Sequence, residues 1–402
     1  MENLNFKVEQ FKKNILTKKL NILIGSGVSY PSIPLMSHFA KDENGIIVSK
    51  DIANKNLEKH ILKVSSFLPF NHNDRIKYFV EKMDKQILYS AKYFTKLRNF
   101  TTFEISIDFV LERYVRFLEK VITLLYISNS RTVSKSVNVF TTNYDLLFER
   151  AFDDFLVYNP LIYFNDGSRG VFTKYINNKN FYLNVTHSGY NDNYKREVPT
   201  VNLLKLHGSV SWKLHDDRII VDEYNEVIRK ISNTVKKLGI KSKQVKDIID
   251  TSKNENTHLF VENLNNNVQN LKLNDKDLKK FYYVYSKLPI INPNKYKFFK
   301  TVSEQHYYQL IRSFSYELEK KQSILIVFGF SFADEHLKDI FERSLLNPEL
   351  QVVIISYSKE SQDSIKNMFE GYKNIFFLPD DFDGTKGDFN YLLSLLGDCD
   401  GE

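Results

Sequence analysis

Short apolar runs that stop on glycine or a polar residue recur along this chain, and they constrain its fold more than any other feature. The first is Ile22-Leu23-Ile24, which ends at Gly25-Ser26-Gly27 and is followed by Ser29, Pro31 and Pro34. A run of that length bounded by glycines reads as a strand buried on both faces, as in a parallel sheet. Glycine just past such a strand permits a tight turn and lets backbone N–H groups approach a phosphate. Tyr30 stands where a G-x-G-x-x-G fingerprint needs its third glycine. By itself the pair therefore marks a plain turn as readily as a nucleotide cradle.

Three more runs behave the same way. Val137–Phe140 ends in Thr141-Thr142-Asn143-Tyr144-Asp145, and Val201–Leu206 closes on His207-Gly208-Ser209. Ser323–Phe328, the most strongly apolar run, ends at Gly329-Phe330-Ser331. Helical periodicity at about 3–19, 106–128, 146–155, 303–320, 334–346 and 361–370, with further strands at 352–356 and 375–378, predicts an alternating βα chain. Such alternation builds an α/β, Rossmann-like parallel sheet, whose ligands bind outside the carboxyl ends of its strands. Residues 160–200 read as a loop with a hairpin. Two stretches, 42–102 and 222–284, read as helical insertions. They divide the main body into 1–41, 103–221 and 285–402.

Composition removes several alternatives. With 402 residues and a hydrophobic fraction of 42%, the chain can bury a real core, and wholesale disorder is excluded. The net charge of +7 is spread thinly, so direct nucleic-acid binding has no support. The single cysteine, Cys399, excludes a disulfide framework and a four-cysteine zinc site. No apolar leader and no apolar run of membrane-spanning length occur, and the expected compartment is the cytoplasm.

The residues at the strand ends have ordinary structural roles open to them. His207 can be a satisfied structural histidine, and Asn143, Asp145, Ser331 and Asp334 can each cap the helix that follows. Their joint order is the stronger signal. Gly-Ser-Gly-x-Ser, Thr-Thr-Asn-Tyr-Asp, Lys-Leu-His-Gly-Ser and Gly-Phe-Ser-Phe-x-Asp, each at a strand end, resemble the sirtuin family of NAD-consuming enzymes. The first element resembles the family's glycine-rich NAD loop. The second is similar to its Gln-Asn-x-Asp signature, with Asn143 and Asp145 matching and Thr142 in place of Gln. His207 falls on the family's catalytic histidine, and Gly329-Phe330-Ser331 on its Gly-Thr-Ser element.

The resemblance implies a sirtuin fold with Asn143 and His207 catalytic. It implies NAD contacts from Gly25, Ser26, Gly27, Ser29, Thr142, Gly329 and Phe330. Pro34 would begin the nicotinamide-side loop, Asp145 would shape the nicotinamide pocket, and Ser331, Asp334 and Ser356 would line the adenosine side. Typical sirtuin deacetylases carry a zinc ribbon held by four cysteines, which this chain lacks, so no zinc is expected. Thr142 and the Lys-Leu-His-Gly-Ser-Val-Ser-Trp run look more like the sirtuin-like branch of bacterial anti-phage defence. That likeness implies an NAD hydrolase that depletes NAD in abortive infection. It also implies a homo-oligomer and a separate partner, for which a HerA-like hexameric ATPase is the expectation. An NAD- or ADP-ribose-sensing module without catalysis, or a zinc-free protein deacylase, are the alternatives.

Overall fold

The computed structural model describes residues 11, 13–30, 109–127, 135–238, 275–291 and 305–397. Pro34, the 42–102 insertion, Cys399 and the middle of the 222–284 insertion lie outside these described residues.

Strand β1 (Lys19–Ile24) runs into a 3-10 turn at Ser26–Ser29. Helix α1 (Phe109–Ile127), strand β2 (Ser136–Thr141) and helix α2 (Leu147–Leu156) follow. The expected loop then holds β3 (Tyr163–Asn165), β4 (Ser168–Arg169), β5 (Tyr175–Ile176), β6 (Thr186–His187) and β7 (Arg196–Glu197). Next come β8 (Thr200–Lys205), the hairpin β9 (Trp212–His215) and β10 (Arg218–Val221), and helices α3 (Glu226–Leu238) and α4 (Asp275–Tyr285). The last part is α5 (Gln305–Glu319), β11 (Ser323–Phe328), α6 (Glu335–Ser344), β12 (Gln351–Ile355), α7 (Lys359–Met368), β13 (Ile375–Leu378) and α8 (Phe389–Gly397).

Seven strands form one sheet in the order β13-β12-β11-β1-β2-β8-β3, and every neighbouring pair in it is parallel. The chain is therefore an α/β protein with a Rossmann-like sheet, as the sirtuin resemblance implies. All residues of β2, β8 and β11 are buried, because helices cover both faces. Alternation sorts the side chains: Ile22, Val139, Leu203 and Ile326 join one cluster with α1, α2 and α8. Leu23, Phe140, Leu204 and Leu325 join the other with α5 and α6. This is the period of two expected of a pleated strand.

One layer of the second face is polar. Asn21, Asn138 and Asn202 occupy matching positions on β1, β2 and β8, and Asn165 of β3 pairs with Asn202. Their amides form a ladder, each Nδ2 donating to the next Oδ1 at 2.9 Å: Asn165 to Asn202, Asn202 to Asn138, and Asn138 to Asn21. Asn21 ends the series by donating to Ser323 Oγ on β11 at 2.9 Å. A one-residue slip of any strand would leave buried amides unpaired, so the ladder fixes the register.

The strand order reverses around β1, with β2, β8 and β3 to one side and β11, β12 and β13 to the other. The four strands singled out from sequence, β11, β1, β2 and β8, are consecutive across this switch point, where open α/β sheets bind ligands.

Candidate active site

The loops after β1 and β11 meet backbone to backbone at the switch point. Gly25 N–H donates to Phe328 O at 3.0 Å and Gly27 N–H to Gly329 O at 3.1 Å. A Cβ at Gly25 would lie 2.2 Å from Gly329 O, and Gly329 itself has φ +64. Glycine is thus required here by the close approach of two loops. This corrects the expectation that Gly25, Ser26 and Gly27 all offer backbone N–H groups to NAD. The Gly25 and Gly27 N–H groups are already committed, while Ser26 N–H donates to no backbone acceptor among the described residues.

Ser29 needs a second correction. It is 1% exposed, and its hydroxyl touches Asn143 Nδ2 at 3.1 Å, Asp145 Oδ2 at 3.0 Å and Tyr114 Oη at 3.0 Å. A carboxylate only accepts and an amide nitrogen only donates, so Ser29 gives its proton to Asp145 and accepts from Asn143. Tyr114 then donates into the remaining lone pair. Burial, and next the Asp145 charge, push the Tyr114 phenol well above its ordinary pKa, which keeps it a donor. The Ser29 hydroxyl is saturated inside the protein, so it positions Asn143 rather than touching a ligand.

Asn143 stands just past β2, with its backbone N–H on Thr141 Oγ1 at 3.0 Å. Its Nδ2 is pinned by Ser29, and its buried Oδ1 has no hydrogen-bond partner among the described residues. Asp145 also accepts the Leu147 N–H at 3.1 Å, which starts α2. Both of its oxygens are thereby engaged within the protein.

On the next strand, His207 Nε2 lies 2.9 Å from Asp334 Oδ2. The backbone at His207 is held by the Ile291 N–H, and the Tyr144 ring lies 6.2 Å away, its hydroxyl donating to Ile291 O at 2.6 Å. Gly208 has φ +90 and its Cβ would fall 2.3 Å from Pro289 O, so this turn too depends on glycine. Asp334 caps α6 through Oδ1, which accepts from His336 and Leu337 N–H at 3.2 and 3.4 Å. One carboxylate therefore starts a helix and orients a histidine. Sequence reasoning put Asp334 with an adenosine subsite; the structure puts it on His207. Asp334 follows β11 and His207 follows β8, and β1 and β2 lie between those two strands in the sheet. The loop after β11 holds Phe332 at φ +54, a backbone region costly for a bulky residue. The buried Phe332 ring packs on Phe341 and Phe369 at centroid distances of 4.7 and 5.0 Å.

The remaining candidates fall on the same edge. Thr142 N–H bonds to Ile24 O at 3.3 Å. Phe330 is half-buried and Ser331 exposed in the loop after β11. Ser356 follows β12, and its buried hydroxyl has no hydrogen-bond partner among the described residues. Ser356, Gly329, Gly25, Asn143 and His207 thus follow one another along the carboxyl ends of β12, β11, β1, β2 and β8.

Two participants were not singled out from sequence. Lys205, 4% exposed, ends β8 with Nζ 2.7 Å from Glu149 Oε1 and also donates to Asp145 O and Ser209 Oγ. Burial pushes the Glu149 carboxyl up, and the Lys205 ammonium pulls it back. The readable signal was a lysine inside Leu203-Leu204-Lys205-Leu206, since a charge in a buried strand demands a partner. Tyr114 had no such signal, because its position on α1 reads as core.

Residues 137–261 match the family model of the SIR2-like domain. The match covers less than half of the chain, includes Asn143, Asp145, Lys205 and His207, and supports a sirtuin-like family with NAD-related activity. No curated protein matches the chain. Gly25 and Asp334 lie outside the matched segment, and the structure brings their loops to the same sirtuin-like edge. Among the described residues, no group of three His, Cys, Asp or Glu side chains is placed to hold a metal, and no helix is long and apolar enough to cross a membrane.

Proposed function

We propose that this chain is an NAD glycohydrolase, converting NAD and water into ADP-ribose, nicotinamide and a proton. The carrying observation is the side chain of Asn143, held by its nitrogen on Ser29 with a buried Oδ1 that has no partner among the described residues. A buried acceptor without a partner is costly unless a ligand or water satisfies it. At the carboxyl end of β2 it can receive a ribose hydroxyl or the attacking water.

Loss of nicotinamide leaves an electron-poor ribose carbon, and water must reach that carbon in the right orientation. Asn143 Oδ1 is uncharged and orients a donor hydroxyl without forming a bond to the cation. In the neutral His207 ring the Asp334 carboxylate selects the tautomer with its proton on Nε2, which leaves the basic lone pair on Nδ1. His207 then accepts the proton released as water adds, and Asp334 stabilises the imidazolium that forms. Ser26 N–H and the unpartnered Ser356 hydroxyl are the donors on the other half of the edge, suited to the remainder of the dinucleotide.

Under this reading the activity serves anti-phage defence by depleting NAD. A homo-oligomer and a HerA-like ATPase partner belong to the same proposal. The test is to incubate the purified protein with NAD, with and without a neighbouring gene product, and follow nicotinamide and ADP-ribose. Turnover that disappears in both Asn143→Ala and His207→Ala supports it. Binding of NAD with no product under either condition would favour a sensing module instead.

A further inference from the structure

We infer that a second ligand site lies beneath α5, at the amino-terminal half of the sheet, and takes a nucleobase bearing a carbonyl and an N–H donor on one edge. The observation is a cavity of about 530 Å³ between α5, the 181–184 segment and the sheet face, within the range of small-molecule sites. It stands apart from the catalytic edge and does not rest on the NAD reading.

Its floor is the asparagine ladder. Asn138 and Asn202 line the cavity and are each 5% exposed. Each Nδ2 gives one hydrogen to the ladder, and the second meets no acceptor among the described residues. An amide nitrogen carries two donors, so two donors about 4.8 Å apart stand at this floor. The opposite requirement appears on the wall. Glu317 Oε1 accepts from Lys320 Nζ at 2.6 Å, while its buried Oε2 accepts no hydrogen bond among the described residues, Lys19 Nζ standing off at 3.6 Å. Phe181, Tyr182 and Tyr316 complete the lining with aromatic surface, and the rings of Tyr182 and Tyr316 are 70% and 45% exposed.

Amide donors ask for a carbonyl, a carboxylate asks for an N–H, and aromatic walls ask for a flat ring. Guanine, uracil and cytosine carry both groups; adenine carries an amino donor but no carbonyl. Ring stacking on the tyrosines would add affinity without choosing between bases.

The experiment is calorimetric titration of the full chain with guanosine, uridine, cytidine and adenosine. At least one of the three carbonyl-bearing nucleosides binds in a way that depends on Glu317 and Tyr182, and adenosine shows no binding with that dependence. Glu317→Gln and Tyr182→Ala each weaken that binding about tenfold, while Asn143→Ala, at the other end of the strands, leaves it unchanged. Tyr182 is largely exposed, so its variant keeps the test valid if Glu317→Gln fails to fold. Absence of binding by any nucleoside overturns the inference. So do equal binding of adenosine with the same dependence, indifference to Tyr182→Ala, or loss of binding in Asn143→Ala.

Discussion

At the scale of single residues, the proposed chemistry rests on Asn143 and His207 and on the side chains that hold them. Asp334 offers a clean separation, because Asn is as good a helix cap as Asp. In Asp334→Asn the Oδ1 keeps the α6 cap, while the new Nδ2 faces His207 Nε2 and reverses the ring tautomer. NAD turnover should fall by about 10²–10⁴ with the melting temperature nearly unchanged; near-wild-type turnover would remove Asp334 from the chemistry. Ser29→Ala should behave differently. It strips a partner from Asn143, Asp145 and Tyr114 together, so stability should drop by roughly 1–3 kcal/mol as buried groups go unpaired. Turnover should drop with it while NAD binding is largely retained. Calorimetry and product assays on one preparation check both halves.

At the scale of elements, the three glycines behave as one joint. Gly25 cannot gain a methyl group without displacing the backbone at Gly329, and the loop that begins there ends on Asp334. Gly25→Ala should therefore destabilise the fold by about 2 kcal/mol or more and also slow turnover, although Gly25 itself has no catalytic group. Gly371 is the control: its φ is +92 but nothing lies within 4 Å of an added Cβ. Gly371→Ala should cost only the roughly 1–2 kcal/mol of left-handed backbone strain and leave activity intact. Thermal melts and turnover measured side by side distinguish the two.

For the whole molecule, a half-buried histidine with a shielded ring nitrogen couples stability to pH. His306 packs edge-on against Trp212 at 5.3 Å and Tyr307 at 5.6 Å. Burial pushes its pKa down to about 4, and Nε2 has no hydrogen bond. The folded ring stays neutral where the unfolded one, with pKa near 6.5, takes up a proton. Stability from this group is complete above pH 6.5 and is lost as pH falls from 6.5 towards 4, by roughly 3 kcal/mol in all. His306→Phe should flatten that part of the profile in urea titrations; an unchanged slope would mean the ring is charged in the fold.

The sheet was legible because its strands are apolar runs of the right length with abrupt polar ends. β13 falls where the pattern placed it, at Ile375–Leu378, and β1, β2, β8, β11 and β12 begin or end within a few residues of their apolar runs. Elements without a periodic signature were not legible. The three-residue β3 is too short to carry a pattern of its own and joins the main sheet through its ladder with β8, where Asn165 meets Asn202. Helix α8 is a short, mostly apolar run whose exposed stripe is Asn390 and Ser394. Phe389 of α8 stacks on Phe328 at 5.4 Å, a contact that closes the sheet over the first cluster. For the site, the residue types Asn143 and His207 were written in the chain, since each follows a buried strand. Their partners were not. Asp334 pairs with His207 and Ser29 with Asn143 across long stretches of sequence, and a switch-point sheet is what brings those loops to one edge. Local patterning decides which residues stand at strand ends; only the order of strands decides which of them share a hydrogen bond.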